Sequence, residues 1–293
     1  MEQEQIKFSI VVPVFNEQEA IEKVLKTLHQ FLSAHLKERW EIVVVNDGST
    51  DKTKQILDSL NLSQLRVYDQ PYNKGYGAAL KTGTGQAKGE FVAFYDGDGQ
   101  HKPEELLKLL SHVEKYDMVV GSRNGYNGPA WRRPGKKLLG ALANYLVNFK
   151  IPDLNSGLRV LRKTYFHRFE HLYPNGFSLS TTITLAFLKQ GYGVKYIPIN
   201  VEKRAGKSSV CVNDGFKAIM LAIRMTMLFS PFKVFFPTAL LLFVLGIGSL
   251  LFDVFVSYNI GDTSLLFIIS AIIIFFFGLL ADQVSAMRRE LKL

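Results

Sequence analysis

Residues Phe8–Asp47 read FSIVVPVFNEQEAIEKVLKTLHQFLSAHLKERWEIVVVND. Two apolar runs, FSIVVPV and WEIVVVND, flank an amphipathic stretch from Glu19 to Leu36. That order predicts two parallel strands joined by a crossover helix. The alternation continues with a helix over Lys52–Leu60, strands at LRVYD, EFVAFYD and DMVVGSR, and a helix over Pro103–Lys115 between the last two strands. The fold class is therefore α/β, with a mostly parallel sheet. Ligands of such sheets bind beyond the carboxyl ends of the strands. The residues there are Asn16 and Glu17, Asn46 and Asp47, Asp96 and Asp98, and Ser122 and Arg123. One such cluster is ordinary turn chemistry; four from distant parts of the chain mark a site.

The chain has 293 residues, of which 47% are hydrophobic and 21% charged, a balance that excludes a disordered chain. Its one cysteine, Cys211, allows no internal disulfide and favours a reducing compartment. The net charge of +9 points to anionic partners. No charged residue occurs from Val234 to Phe252 or from Thr263 to Ala281. Each run matches the roughly 20 residues that cross a bilayer, and both are apolar on every face, so two transmembrane helices are expected. Lys233 before the first span and Arg288, Arg289 and Lys292 after the second predict cytoplasmic termini. MEQEQIK is too polar to open a signal peptide.

The expected organisation is a cytoplasmic domain over 1–210, a juxtamembrane amphipathic helix over 211–232 and a transmembrane hairpin over 233–293. Between Arg132 and Lys150, Leu138, Leu142, Leu146 and Phe149 share one helical face, with Arg132, Arg133, Lys136 and Lys137 at its start. Over Asn213–Phe229, Phe216, Ile219, Met220, Ile223 and Met227 repeat the pattern, with Lys217 and Arg224 opposite. Both read as interfacial helices. Cations beside such helices, without a basic recognition helix or stacking motif, argue against nucleic acid.

Several motifs fail on inspection. AGKSS lacks the first glycine of a phosphate-binding loop, Leu80 replaces the last glycine of a dinucleotide fingerprint, and DGDGQH lacks the glycine and final Glu of a calcium loop. His167 and His171 suit a solvated or interfacial face better than a metal site. FYDGDGQHKPEE is the sharpest signal: Asp96 and Asp98 follow an apolar strand, and Asp98 and Gln100 offer oxygens to Mg²⁺ or Mn²⁺.

VVPVFNEQEAI, VVVNDGSTDKT, NKGYGAALKTG and DGDGQHKPEE, in this order, closely resemble the inverting family 2 glycosyltransferases with the GT-A fold. DMVVGSRN, PDLNSGLRVLRK and KRAGKSS extend the resemblance to dolichyl-phosphate mannose synthases and bacterial polyprenyl-phosphate glycosyltransferases. The resemblance implies a GT-A, Rossmann-like nucleotide-sugar domain over nearly the whole soluble part. It implies that Pro13, Phe15, Glu17 and Asp47 hold the nucleoside, that Asp96, Gly97 and Asp98 meet the donor, and that Asp98 and Gln100 bind the metal. Arg204 and Lys207 are then donor contacts, Arg123, Arg132, Arg133, Ser156 and Arg159 meet the acceptor phosphate, and Asp96, Asp98, Arg123 and Arg159 form the catalytic set. Gly97 and Gly99 depart from the family's frequent Ala and Leu and loosen the metal loop.

The chemistry agrees. A departing nucleoside diphosphate gains negative charge that a divalent cation stabilises. A lipid monophosphate, with its second pKa about 6, is already a competent anion at pH 7. The expected enzyme moves a sugar from GDP-mannose or a UDP-hexose to undecaprenyl or dolichyl phosphate at the cytoplasmic face of the lipid bilayer, with a homo-oligomer as a family-level expectation. A processive polysaccharide synthase is the enzymatic alternative, although neither Trp40 nor Trp131 stands in a Gln-x-x-Arg-Trp context. A non-catalytic membrane-anchored scaffold is the other, and the retained Asp96, Asp98, Glu17 and Asp47 weigh against it.

Overall fold

A computed structural model of the chain describes residues 6–37, 39–123, 133–176, 178–202, 214–257 and 261–290. The elements are β1 (Phe8–Val14), α1 (Ile21–His35), β2 (Trp40–Asn46), α2 (Thr53–Ser59), β3 (Leu65–Asp69), α3 (Tyr76–Gln86), β4 (Phe91–Phe94), α4 (Pro103–Leu110), β5 (Met118–Arg123), α5 (Arg133–Val147), β6 (Arg159–Arg162), α6 (Lys163–Arg168), α7 (Leu179–Lys189), β7 (Val194–Ile199), α8 (Asp214–Phe229), α9 (Phe232–Phe252) and α10 (Asp262–Glu290).

The strands form one sheet in the order β3-β2-β1-β4-β6-β5-β7. β1 and β2 pair in parallel from Phe8↔Trp40 to Val14↔Asn46, and every residue of both is buried. Their unbroken apolar sequences are those of strands covered on both faces. α1 turns Ile21, Leu25, Leu28 and Leu32 onto that sheet, the stripe its sequence spacing predicts. The sheet is mostly parallel with one strand reversed. β6 runs antiparallel between β4 and β5, setting Arg159 opposite both Phe94 and Val120. A reversed strand begins at the edge where its parallel neighbours end, so the segment before Arg159 reaches the carboxyl edge of the sheet.

The helix expected over Pro103–Lys115 stops at Leu110. Ser111 Oγ and His112 Nδ1 both bond to the Lys108 carbonyl, at 2.8 and 2.9 Å, and the chain continues in tighter turns.

The chain divides into two compact units, one of Met1–Gly140 and Phe149–Asp214, the other of Ala141–Asn148 and Gly215–Leu293. In the second unit, the most apolar 18-residue stretches of Phe232–Val256 and Asp262–Arg288 have mean hydropathies of 2.5 and 2.8, and only 11% and 22% of those stretches is buried. Core helices of a soluble protein would be covered; these present long bare apolar faces, as membrane spans do. A Cβ at Gly246 would crowd Ile268, and one at Gly278 would crowd Phe235, so α9 and α10 lie antiparallel and in close contact.

The apolar face expected between Arg132 and Lys150 is split: Leu146 is fully buried, whereas Leu138 and Phe149 are exposed. On α8, Met220, Ile223 and Met227 are exposed as expected, while Met225, Leu228 and Phe229 are buried. Lys233 ties the end of α5 to the start of α9. Its Nζ donates to the carbonyl of Tyr145 at 2.7 Å, that of Leu146 at 3.3 Å and Asn148 Oδ1 at 2.7 Å, while the Tyr145 hydroxyl donates to the Lys233 carbonyl at 2.9 Å. A cation on the last carbonyls of a helix satisfies acceptors that have no partner within the helix. Lys233→Met should therefore cost about 1–2 kcal/mol, read as a lower melting temperature of the full chain in detergent. An unchanged melting temperature would mean that the lysine contributes nothing to the tie.

Candidate active site

The carboxyl ends of β1, β2, β4 and β5 and the start of β6 supply the candidate residues. At the end of β1, Pro13 is buried in the strand, whereas Phe15 is 40% exposed. Asn16, in the left-handed region at φ 55°, bridges to the next loop, its Oδ1 accepting from the Thr50 amide at 2.8 Å. The Glu17 amide donates to Thr53 Oγ1 at 2.9 Å, and the Glu17 side chain is half-buried.

Asp47, after β2, is buried, and its two carboxylate oxygens accept from the amides of Lys74 at 2.8 Å and Gly75 at 2.9 Å. Those amides immediately precede α3. Asp47 thus fixes how α3 begins, a role the sequence reading did not give it. Tyr76, the first residue of α3, donates from its hydroxyl to Asp96 Oδ1 at 3.0 Å.

Asp96 is the meeting point of several segments. Beside Tyr76, His101 Nε2 lies 3.5 Å from Asp96 Oδ2, and a Cβ added at Gly157 would collide with that same oxygen. Only glycine allows the segment before β6 to pass so close. Burial works to raise the Asp96 pKa, but His101, Tyr76 and Arg123 together hold it below the ordinary carboxylate value. The side chain keeps 26% exposure, so it remains reachable.

Gly97 is buried against Val14, Ile21 and the Pro13 carbonyl, with room for a Cβ only if these neighbours yield by a few tenths of an ångström. Gly99 sits at φ +75°, a conformation that L side chains rarely adopt. The loosening expected from these two glycines does not describe the loop. Asp98 Oδ1 accepts from the Gln100 amide at 3.1 Å. Gln100 is joined to Glu202 through its carbonyl, at 2.9 Å, and its side-chain Nε2, at 3.4 Å, and His101 bridges Val201.

Arg123 is held in a fork by Asp153, with Nε to Oδ2 at 2.7 Å and one Nη to Oδ1 at 2.9 Å. The pair is mostly buried, at 20% and 5% side-chain exposure. Arg159 is fully buried. It donates to the Ser180 carbonyl at 2.9 Å, to Thr184 Oγ1 at 3.3 Å and to the Ser156 carbonyl. Ser156 is also fully buried, and its Oγ has no partner among the described residues. Neither Ser156 nor Arg159 presents a surface to solvent. The partners of Arg159 are carbonyls and a hydroxyl rather than a carboxylate, and they join the turn before β6 to α7. Burial presses the Arg159 pKa below its ordinary value. Arg133 opens α5, but its side chain, like Arg132, Arg204 and Lys207, lies outside the described residues.

No group of three or more His, Cys, Asp or Glu side chains converges to hold a metal among the described residues. Two carboxylates in an Asp-x-Asp turn at a partly exposed edge instead suit a cation that takes the rest of its oxygens from a bound diphosphate. The residues present therefore fit Mg²⁺ or Mn²⁺ carried with a substrate. Tyr76, His101 and Gly157 were missed as site neighbours: Tyr76 and Gly157 lay in motifs that the sequence reading quoted, and His101 was read only as a flaw in a calcium loop.

The chain belongs to glycosyl transferase family 2, whose model matches residues 9–169, and residues 230–287 match the GtrB C-terminal hairpin. It is 35% identical over 164 residues to an undecaprenyl-phosphate 4-deoxy-4-formamido-L-arabinose transferase of Pseudomonas savastanoi pv. phaseolicola, covering 54% of this chain and 48% of that protein. It is 32% identical over 185 residues to the dolichyl-phosphate beta-glucosyltransferase ALG5C of Trichomonas vaginalis, covering 57% and 54%. The matched region thus spans about half the length of these relatives. Among solved structures, glucosyl-3-phosphoglycerate synthase of Mycobacterium tuberculosis, in complex with Mn²⁺, UDP-glucose and phosphoglyceric acid, superposes with a TM-score of 0.59 at 20% identity, covering 75% of this chain and 78% of that one. The fold is that of GT-A glycosyltransferases.

Arg159→Lys separates a structural tie from a phosphate contact. Lysine keeps the charge but cannot span carbonyls on two segments, so a loss of about 1–3 kcal/mol is expected, or roughly 2–4 °C per kcal/mol in melting temperature. The apparent KM for lipid phosphate should stay unchanged. A raised KM with an unchanged melting temperature would make Arg159 a phosphate contact.

Proposed function

We propose that this protein is a membrane-anchored, inverting glycosyltransferase that moves a sugar from a nucleoside diphosphate to polyprenyl phosphate. One observation carries the reading: a donor edge built around Asp96 and Asp98 shares a chain with two long, uncovered apolar helices. A soluble donor and a lipid acceptor require that pairing. The relatives named for transfer to undecaprenyl and dolichyl phosphate support the acceptor class, and the neighbour solved with UDP-glucose and Mn²⁺ supports the donor class.

In this reading the exposed ring of Phe15 meets the base. Glu17 and the loop fixed by Asp47 flank the nucleoside, and Asp96 and Asp98 face the diphosphate. Mg²⁺ or Mn²⁺, held by Asp98 with Gln100 beside it, would neutralise charge on the departing diphosphate. Arg123, its guanidinium plane set by Asp153, is the candidate contact for the lipid phosphate. That phosphate is already anionic at pH 7 and needs no general base to attack the anomeric carbon. Ser156 and Arg159 support the turn before β6 from behind.

The donor class is identified by incubating the full chain, in micelles containing undecaprenyl or dolichyl phosphate, with a panel of UDP- and GDP-sugars. Transfer to lipid is expected with one of them. Hydrolysis or binding without transfer under every combination would favour a scaffold. Asp98→Asn keeps the shape of the side chain but removes its charge, so it should abolish transfer and weaken Mn²⁺-dependent nucleotide binding. Near-normal turnover at saturating donor would sink the metal assignment.

In this reading the active site faces the cytoplasm with both termini inside, which the cations flanking the two spans support. Cysteines introduced between Ser257 and Ser264 should then react with an impermeant thiol reagent in intact cells, and one near Leu293 should not. The opposite pattern would put the catalytic unit on the wrong side for a soluble nucleotide sugar.

A further inference from the structure

We propose that Tyr76 is a positioning residue of the donor site, its hydroxyl fixing the Asp96 carboxylate in the orientation that the donor and its metal meet. The proposal rests on the reading of Asp96 as a donor residue and adds the device that holds it. The hydrogen bond from Tyr76 Oη to Asp96 Oδ1 is 3.0 Å long, while Oδ2 faces His101 Nε2 at 3.5 Å and lies so close to Gly157 that a Cβ there would collide with it. One carboxylate oxygen is thus held by α3, and the other is confined by the segments on either side of it. A carboxylate held this way loses little freedom when a ligand arrives, which is how a preformed site gains affinity.

The position of Tyr76 is itself fixed from two sides. Asp47 grips the amides of Lys74 and Gly75, immediately before it. The Ala78 amide, two residues on, donates to the Asn175 carbonyl at 3.0 Å. Burial and the neighbouring Asp96 charge push the phenol well above its ordinary pKa, so the hydroxyl remains a donor throughout the physiological range. Asp47 and Asp96, far apart in sequence, are in this way linked through the first residue of α3. A nucleoside that engages the β2 edge and a diphosphate that engages Asp96 would then meet one preformed arrangement.

The test measures UDP and GDP affinity of the full chain in detergent, with Mn²⁺ and with EDTA, alongside melting temperature, for Tyr76→Phe, Tyr76→Gln, Asp96→Ala and the double variant Tyr76→Phe/Asp96→Ala. Tyr76→Phe, which removes only the hydroxyl, should weaken Mn²⁺-dependent binding of the better nucleotide on the order of tenfold, as expected for a lost hydrogen bond to a charged group. It should leave binding in EDTA little changed. The double variant should bind no more weakly than Asp96→Ala alone, because Tyr76 acts through that carboxylate. Tyr76→Gln, which keeps a donor without the ring, should recover part of the loss. A role confined to packing predicts the reverse order, with Phe near wild type and Gln worse, and that result would overturn the proposal, as would losses that simply add in the double variant. If Asp96→Ala itself binds nucleotide like the wild type, the reading of Asp96 fails first and takes the proposal with it.

Discussion

The reversal of one strand is the constraint on which the site depends. β6 enters the sheet antiparallel between β4 and β5. A parallel sheet delivers only strand ends to its carboxyl edge. An antiparallel strand delivers the segment that leads into it, so the turn containing Ser156 and Gly157 arrives beside Asp96. Arg159 lies in β6 between Phe94 and Val120, too deep to meet water; its two Nη groups donate to the carbonyls of Ser156 and Ser180 and to Thr184, while Nε has no partner among the described residues. A guanidinium cannot shed its charge to escape burial, so it must be matched by acceptors. Here that requirement anchors the turn to α7.

The same rule governs the other charges at this edge. Asp47 is matched by two backbone amides, and Arg123 by Asp153. A buried charge with fixed partners is poorly placed to reorient but well placed to hold its neighbours. Other groups at this edge stay accessible, among them the ring of Phe15, the partly exposed Asp96, Asp98 and Gln100, and Arg123 itself keeps 20% side-chain exposure. The family motifs therefore contain two kinds of residue, those left partly exposed at the edge and those that hold their neighbours in place. Residue type alone does not distinguish them, since Asp47 and Asp96 are both aspartates at the end of a parallel strand.

The second unit follows a simpler logic. Its two long helices keep their apolar faces uncovered, and glycines let them approach closely. Polar contacts concentrate where helices end. Lys233 meets the last carbonyls of α5, Ser285 Oγ donates to the Leu228 carbonyl at 2.7 Å, and Ser264 bonds to Ser249 at 2.7 Å near the hairpin turn. Among apolar surroundings, unpaired backbone and hydroxyl groups are costly, so the few polar residues go to positions where they close such gaps. The charge of Lys233, read from sequence as a topological signal, also has this local structural use.

By itself the sequence determined the features that repeat with a period or persist as a run. β1, β2 and β3, the stripe of α1 and both apolar spans were legible because burial on a strand, a helix face or a span leaves a pattern in consecutive residues. The acidic and amide residues at strand ends were legible for the same reason, since the end of a strand fixes where the next residues of the chain lie. The tertiary structure alone decided the elements without such a pattern. α3 buries Gly77, Ala78, Ala79 and Leu80 in succession, and α7 buries serines and threonines along with its leucines, so neither shows an amphipathic stripe. It also decided that β6 is reversed, that Arg159 faces inward, and that Tyr76, His101 and Gly157 surround Asp96. Those relations join residues as far apart as 76 and 157, and contacts at such separation come from how elements pack rather than from the local order of residues.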